Sequence, residues 1–258
     1  MIIAIDIGNT NISCAVMEGL RVKRVASVLH SKHEKRDAKR LQQILRSFRA
    51  RFKSITAVVI CSVVPRKNTF VKKNLRKILS CPVFMVGRNI AVNIKNKYRR
   101  PGQVGKDRLV GAYAVKILFG APAIVIDLGT AITFDVINGK GEYEGGMIVP
   151  GIKMSAESLF KKTALLPQLK RITTPRSLVG KTTQESILSG LFYGYGAMGT
   201  GLIEMIGRQI KGKLKVIVTG GYASYMKPFI KKKDAIIEPH LVFKGLSLIY
   251  TSTKLKFS

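Results

Sequence analysis

The chain has 258 residues and carries 45 Lys and Arg against 14 Asp and Glu, which gives a formal net charge of +31. Its apolar fraction of 46% is ordinary for a folded protein, so the composition excludes a disordered chain despite the charge. The same composition excludes collagen-like, coiled-coil and disulfide-scaffold proteins, and the length suits one large domain or two of roughly 100–150 residues.

The first predicted element is a β-hairpin at the N-terminus. An apolar run leads into Asp6-Ile7-Gly8-Asn9-Thr10, and a second strand-like run follows at residues 12–17. The turn between the two runs carries a carboxylate and a glycine, a composition that is typical of a hairpin turn.

Three features concern the compartment. The N-terminus has no basic region and meets Asp6 at once, so we expect no signal peptide. The longest uncharged apolar stretch, residues 117–126, is shorter than the roughly 20 residues that span a bilayer, so no membrane partner is expected. Cys14, Cys61 and Cys81 are odd in number and widely spaced, which predicts reduced, buried thiols in a cytoplasmic protein.

Residues 32–53 predict an amphipathic helix with a basic outer face, since the apolar side chains keep helical spacing among nine Lys and Arg. A solvated face is favoured over a nucleic-acid footprint, because the excess of cations runs along the whole chain. The charge therefore predicts salt-sensitive attraction to polyanions and no specific nucleic-acid partner. His30, His33 and His240 are isolated and share no ligand spacing, so a zinc site is not expected.

Strand and helix patterns alternate through the rest of the chain. The predicted elements are strands at 55–64, 83–86 and 214–218 and helices at 104–118 and 183–210. This alternation predicts an α/β protein with mixed sheets. The last helix contains Gly190, Gly194, Gly196, Gly199 and Gly201, each of which costs a helix interior about 1 kcal/mol relative to alanine, so we expect close packing along it.

An internal repeat organises the chain. Residues 3–10 match residues 124–130, and each copy has an apolar run, then Asp, an aliphatic residue, Gly, and Asn or Thr. The second copy also leads into a strand-like run, at 131–137. Duplication near half the chain length predicts two similar lobes, residues 1–118 and 119–258.

The two Asp-x-Gly turns are suited to polyphosphate. A carboxylate at a strand end, such as Asp6, binds Mg²⁺ directly or through water, because hard cations prefer oxygen ligands. The glycine allows the backbone to approach a phosphate, and Asn9, Thr10 and Thr130 supply amide and hydroxyl donors. One such turn is a weak signal, whereas two in register favour nucleotide phosphate binding.

This arrangement resembles the acetate and sugar kinase/heat-shock 70/actin superfamily. Further motifs resemble the type III pantothenate kinases over nearly the whole chain. They are Tyr98-Arg99-Arg100-Pro101, Gly105-Lys106-Asp107-Arg108, Asp127-Leu128-Gly129-Thr130 and Gly145-Gly146-Met147-Ile148-Val149-Pro150-Gly151. Lys106 departs from the family pattern, which more often has a small residue there; its side chain either points outward or adds a cation beside the substrate.

The resemblance implies two ribonuclease H-like lobes with mixed β-sheets flanked by helices and a nucleotide cleft between them. The N-terminal lobe carries the first phosphate loop and the substrate motif, and the C-terminal lobe carries the second loop and a dimerisation helix. It also implies ATP-dependent phosphorylation of pantothenate to 4′-phosphopantothenate, the first step of coenzyme A biosynthesis, by a cytoplasmic homodimer. Two alternatives are a superfamily kinase for another small substrate and a non-catalytic transcriptional accessory factor of the same fold.

The resemblance also implies roles for particular residues. Asp107 is the expected catalytic base, and Asp127 the expected site of a monovalent cation, K⁺ or NH₄⁺. Asp6 is expected to bind the Mg²⁺ of Mg-ATP through water. The expected ATP-binding residues are Asp6, Ile7, Gly8, Asn9, Thr10, Asn11, Ile12, Ser13 and Thr130. The expected pantothenate-binding residues are Tyr98, Gly105, Lys106, Asp107, Arg108 and Thr183.

Physical chemistry supports a base at Asp107. The carboxylate is too weak to deprotonate an alcohol beforehand, but it can orient the hydroxyl and accept its proton late in phosphoryl transfer. Its place at a helix start, between Lys106 and Arg108, predicts that the ionised form is favoured. Arg108 offers a planar fork for a carboxylate or a phosphoryl group. Without the other motifs, Asp107 and Arg108 would be interpreted as an acid that favours the start of a helix and a neighbouring surface arginine.

Overall fold

The computed structural model describes residues 1–255, and this part of the chain divides into two compact units. Unit 1 comprises Met1–Ile94, Arg99–Ile117 and the chain from His240 onward; unit 2 comprises Lys95–Tyr98 and Leu118–Pro239. The main division of the chain falls between Ile117 and Leu118, beside the expected boundary at residue 118. Residues 95–98 and the C-terminal segment differ from the prediction, since each belongs to the other unit.

Unit 1 contains a five-stranded mixed sheet in the order β3-β2-β1-β4-β5. Its strands are β1 (Ile2–Ile7), β2 (Asn11–Glu18), β3 (Arg21–Leu29), β4 (Ala57–Ser62) and β5 (Val83–Met85). The first three strands are antiparallel, whereas β1, β4 and β5 are parallel. The carboxyl ends of β1 and β4 therefore lie at one edge of the sheet, where the hairpin turn begins.

Helices cover both faces of this sheet. They are α1 (Glu34–Arg51), α2 (Pro65–Arg76), α3 (Lys106–Leu118) and α7 (Leu241–Lys254). Side chains of α1 and α2 pack against one face of β1 at Ile3, Ile5 and Ile7, and side chains of α3 and α7 pack against the other face at Ile2 and Ala4. This alternation follows from the two-residue period of a strand.

Unit 2 repeats the arrangement with the strand order β10-β9-β6-β7-β8. Its strands are β6 (Ala123–Leu128), β7 (Ala131–Ile137), β8 (Tyr143–Pro150), β9 (Lys215–Thr219) and β10 (Ile236–Ile237), and its helices are α4 (Ile152–Lys162), α5 (Thr183–Gln209) and α6 (Ala223–Met226). Ile124, Ile126 and Leu128 of β6 pack with residues of these helices in one buried cluster. Each unit therefore begins with a three-stranded meander followed by parallel strands, which confirms the predicted duplication and the α/β class with mixed sheets.

The C-terminal helix α7 accounts for the largest difference from the predicted domains. Phe243, Leu246 and Ile249 are buried against β1, β2 and β4 of unit 1. A Cβ on Gly245 would lie 2.6 Å from the carbonyl oxygen of Val110, so only glycine allows α7 to approach α3 this closely. Because this packing joins segments far apart in sequence, the repeat alone does not predict it.

The cysteines agree in part with the prediction. Cys14 and Cys61 are buried and free, whereas Cys81 is free but partly exposed. Within residues 1–255, no helix is both long and apolar enough to cross a membrane.

Candidate active site

Asp6 lies near the end of β1, at the sheet edge where β1 and β4 run in parallel. Its Cα pairs with that of Cys61 in β4 and with that of Ser13 in β2. Burial raises the pKa of the Cys14 thiol to about 12 and that of Cys61 well above its usual range, and the Asp6 carboxylate adds to both increases. Both thiols therefore stay protonated, and Asp6 supplies an anionic oxygen at this edge.

The turn after Asp6 closes the first hairpin. The Gly8 N–H donates to the Asn11 carbonyl at 3.0 Å, and Asn9 and Thr10 form an exposed tip. An exposed tip with peptide and side-chain donors, next to a carboxylate, has the composition of a phosphate-binding loop.

The flanking residues of the predicted loop lie in the packed part of the hairpin. Ile7 and Ile12 are fully buried in the cluster beneath the sheet, and the Ser13 Oγ lies 2.9 Å from the Ser27 Oγ. Their side chains therefore hold the hairpin in place, and the tip is left to meet a ligand.

His30 contacts this turn, although the sequence pattern treats it as an isolated histidine. Its Nε2 lies 2.9 Å from the Gly8 carbonyl oxygen, and its backbone N–H donates to the Thr10 carbonyl at 2.9 Å. His30 follows the end of β3, a strand that the sequence analysis did not predict. Without that strand, nothing in the sequence places residue 30 beside residues 8–10.

The N-terminus of α3 lies at the same end of the sheet as Asp6. Val63 follows β4 and donates its N–H to the carbonyl that ends β1 at 3.1 Å, and a Cβ on Gly105 would lie 3.6 Å from the Val63 Cγ1. Asp6 and Asp107 both act electrostatically on the Cys61 thiol. Unit 1 thus brings the first hairpin turn and the Gly-x-Asp-Arg motif together.

Asp107 differs in its electrostatics from the prediction. Burial raises the pKa of this carboxyl and outweighs the lowering effects of the Arg108 N–H, which donates to Oδ1 at 2.8 Å, and of the Arg108 charge. The prediction that the helix start and the cations would favour the ionised form is therefore wrong in direction. A carboxylate with a raised pKa is a stronger base, which suits proton acceptance near neutral pH.

Lys106 packs its side chain against the turn at Gly87. A Cβ on Gly87, whose φ is +78°, would lie 2.9 Å from the Lys106 Cε. The Lys106 charge lowers the pKa of Cys61, in opposition to Asp6 and Asp107. The charge of Lys106 therefore acts on Cys61, and both expectations for its side chain stay predictions.

Asp127 occupies in unit 2 the position that Asp6 occupies in unit 1. Its Cα pairs with that of Thr133 in β7 and with that of Thr219 in β9, the strand parallel to β6. The Gly129 N–H donates to the Ala131 carbonyl at 3.2 Å and closes the second hairpin turn. Thr130 is exposed at the tip of this turn.

Two glycines from distant segments approach this second turn. The Gly151 N–H donates to the Thr130 carbonyl at 3.1 Å, and a Cβ on Gly151 would collide with that carbonyl. Gly220 has a φ of +92°, and a Cβ there would collide with the Asp127 carboxylate. Glycine is therefore required at both positions, and the backbone meets the carboxylate closely enough to form a cradle.

The remaining predicted substrate residues, Tyr98 and Thr183, belong to unit 2. The Tyr98 ring lies over Gly145 of β8, where a Cβ would be 3.6 Å from the ring Cδ2. Thr183 is the exposed first residue of α5, after the capping residue Thr182, whose hydroxyl accepts the Glu185 N–H at 3.3 Å. Gly105, Lys106, Asp107 and Arg108 belong to unit 1.

Comparison with protein families identifies relatives of this sequence. The family model described as type III pantothenate kinase matches residues 2–205. A type III pantothenate kinase from Persephonella marina is 40% identical over 255 residues, which cover 97% of this chain and 98% of that protein. Another from Moorella thermoacetica is 35% identical over 252 residues, which cover 97% of this chain and 98% of that protein.

Solved structures share the fold at low sequence identity. The activator of the 2-hydroxyisocaproyl-CoA dehydratase from Clostridium difficile, solved with bound ADPNP, has a TM-score of 0.55 and 11% identity, with 98% of this chain and 95% of that chain covered. A ROK family glucokinase from Streptomyces griseus, in complex with glucose and AMPPNP, has a TM-score of 0.53 and 12% identity, with coverage of 96% and 98%. These likenesses confirm the predicted superfamily fold.

Proposed function

The chain belongs to the type III pantothenate kinase family, and from that premise we propose which residues carry out each part of the reaction. The activity is ATP-dependent phosphorylation of pantothenate in coenzyme A biosynthesis. The observation that supports the division of roles best is the placement of Asp6 and Asp107 around one buried thiol at one edge of a sheet.

Each hairpin turn has an exposed tip suited to the phosphates of ATP. In unit 1, Asn9 and Thr10 contact the phosphates of ATP, and the hydrogen bond between Gly8 and Asn11 closes the turn that carries them. In unit 2, Thr130 contacts ATP from a turn whose glycine cradle leaves no room for side chains. The Asp6 carboxylate is a hard oxygen ligand of the kind that Mg²⁺ prefers, and it would hold the metal of Mg-ATP through water. When bound, the metal neutralises charge on the phosphates during transfer.

Within unit 1, pantothenate binds at the start of α3. Within unit 2, Tyr98 and Thr183 are the candidate pantothenate-binding residues. Arg108, with its planar fork, takes an anionic group of the bound substrates, and Lys106 adds a second cation near it. Asp107 orients the primary hydroxyl towards the γ-phosphorus. The hydroxyl oxygen forms the new P–O bond, the bond between the γ-phosphorus and the bridging oxygen breaks, and the hydroxyl proton passes to Asp107.

The active protein is a cytoplasmic homodimer that associates through α5. Two glycines of this helix pack against other parts of the same chain, since Gly196 faces Phe229 and Gly199 faces Ile230. Gly190, Gly194 and Gly201 lie in open space, where a Cβ would meet no atom of residues 1–255 within 4 Å. A helix face without side chains permits close approach of a second helix, which supports a self-association surface.

The first test is the reaction itself. A folded preparation incubated with ATP, pantothenate, Mg²⁺ and K⁺ is expected to yield 4′-phosphopantothenate and ADP, identified by mass spectrometry. If such a preparation makes no such product, the assignment of this activity to the chain is wrong. A phosphorylated product from a different alcohol would favour another kinase of the superfamily.

The second test concerns the monovalent cation that we place at Asp127. Replacing K⁺ with Na⁺ is expected to lower the rate of the wild-type enzyme, because the proposed role of Asp127 is to support a site for the larger cation. Initial rates in buffers that differ only in the chloride salt measure the effect. Undiminished turnover without K⁺ and NH₄⁺ would remove this role from Asp127.

A further inference from the structure

The two hydrogen bonds of His30 are directed at the tip of the first hairpin turn. The imidazole Nε2 lies 2.9 Å from the Gly8 carbonyl oxygen, and the His30 backbone N–H donates to the Thr10 carbonyl at 2.9 Å. One residue therefore satisfies the carbonyls on either side of Asn9.

The partner of Nε2 determines the state of the ring. A carbonyl oxygen only accepts hydrogen bonds, so Nε2 carries the hydrogen and Nδ1 is the bare nitrogen in the neutral ring. Nδ1 is buried and has no hydrogen-bond partner among residues 1–255. The ring thus makes its side-chain hydrogen bond to the turn alone, and a buried bare nitrogen is not what packing by itself would favour.

The orientation of the Gly8–Asn9 peptide follows from this bond. In a trans peptide the C=O and the N–H point to opposite sides of the C–N bond. Holding the Gly8 carbonyl towards His30 therefore turns the Asn9 N–H away from it, on the side of the turn that is free of the imidazole. That is the orientation a phosphate-binding loop needs, since anions are bound by peptide N–H groups.

The segment that carries His30 is itself fixed. Asp37 of α1 is fully buried, and its carboxylate accepts the Ser31 N–H at 3.0 Å and the Ser31 hydroxyl at 2.7 Å. The residue after His30 is therefore tied to the first turns of α1, so the imidazole approaches the hairpin turn from a rigid support.

We propose that His30 is a positioning residue that holds the Gly8 carbonyl and so presents the Asn9 N–H to the phosphates of ATP. The proposal rests on the proposed role of this turn in ATP binding. It assigns to a residue outside the recognised motifs a part in nucleotide affinity.

The test compares two side chains of nearly equal shape at position 30. His30→Gln keeps a side-chain N–H donor, whereas His30→Met has similar length and no donor. His33→Met is the matched control, because His33 lies before α1 and its side chain makes no capping hydrogen bond. We expect His30→Met to raise the KM for ATP and the Kd for a non-hydrolysable ATP analogue about tenfold, because a Gly8–Asn9 peptide that is no longer held must be reoriented when ATP binds, at a cost of about 1.4 kcal/mol. The KM for pantothenate should stay within about twofold, and His30→Gln and His33→Met should remain near wild type.

Several results would overturn the proposal. Equal ATP affinity in the Met and Gln variants would show that the donor has no role, and equal losses for ATP and pantothenate would make the effect structural. If the Met variant does not fold, ¹⁵N NMR of histidine in the wild-type protein decides, because the proposal requires the Nε2–H tautomer with the analogue bound. An Nδ1–H tautomer would contradict it. Failure of the proposed function is distinguishable, because the wild-type protein itself would then not bind the analogue.

Discussion

Replacing Asp107 with Asn is expected to lower kcat by roughly 10²–10⁴, the usual contribution of a general base. The amide has the shape of the carboxyl group but cannot accept the hydroxyl proton. ATP affinity should change little, because Asp107 lies at the start of α3 and the proposed phosphate contacts lie in the hairpin turns. Steady-state kinetics with each substrate varied in turn measure both effects.

The pH dependence of kcat is a second test of Asp107 as the base. Because burial raises the pKa of Asp107, the group loses its charge at a higher pH than an exposed carboxyl would. Only the ionised form accepts the proton, so wild-type kcat should fall as the pH decreases through this raised pKa. The residual activity of Asp107→Asn should lack that acidic limb.

Asp6→Asn serves as the contrasting variant. Asp6 lies beside the same thiol as Asp107, but its proposed partner is the metal of Mg-ATP. Loss of the Asp6 carboxylate should weaken Mg-ATP binding more than it lowers the rate of phosphoryl transfer. Both variants need a thermal melt first, so that a folding defect is not taken for a catalytic one. A well-folded Asp107→Asn protein with near wild-type kcat would reduce the carboxylate to a helix-start residue.

Site residues could be predicted where the sequence pattern that marks them lies within a few neighbouring residues. Asp6 and Asp127 each end an apolar run and precede a glycine, and the structure places each at the carboxyl end of a strand that begins a unit. The β7 and α3 predictions succeeded for the same reason, since a strand period or a helix period is visible in a short window.

Predictions failed where the structure depends on contacts between distant segments. His30 reaches the first turn only because β3 pairs with β2, and β3 is an edge strand with mostly exposed side chains, although Val28 is buried. The raised pKa of Asp107 depends on burial by the surrounding fold, whereas the neighbours visible in sequence, Lys106 and Arg108, suggest a lower one. Burial and long-range pairing are properties of the fold that no short window contains.

Nucleic-acid binding by this protein is expected to be independent of sequence and to weaken by about 10³-fold or more between 50 and 200 mM salt, provided that six or more phosphates are contacted. The formal charge of +31 far exceeds the two cations, Lys106 and Arg108, that the proposed reaction uses. Helix α1 carries seven Lys and Arg, and Lys39 and Arg46 are exposed on it. Asp37, one of its two acids, is buried and accepts hydrogen bonds from Ser31, so the exposed face of the helix carries mainly cations.

Charge-reversal variants distinguish a diffuse charge from a dedicated surface. Lys39→Glu with Arg46→Glu on α1 changes the net charge by the same amount as Lys161→Glu with Lys162→Glu on α4, where both lysines are also exposed. If the attraction is diffuse, both double variants should weaken binding to a labelled duplex alike, and two duplexes of unrelated sequence should give the same affinity by fluorescence anisotropy. Loss of binding in the α1 variant alone would locate a binding surface on that helix. A salt-resistant preference for one sequence would contradict the electrostatic account and favour the transcriptional alternative, because contacts to base edges carry sequence information and phosphate contacts do not.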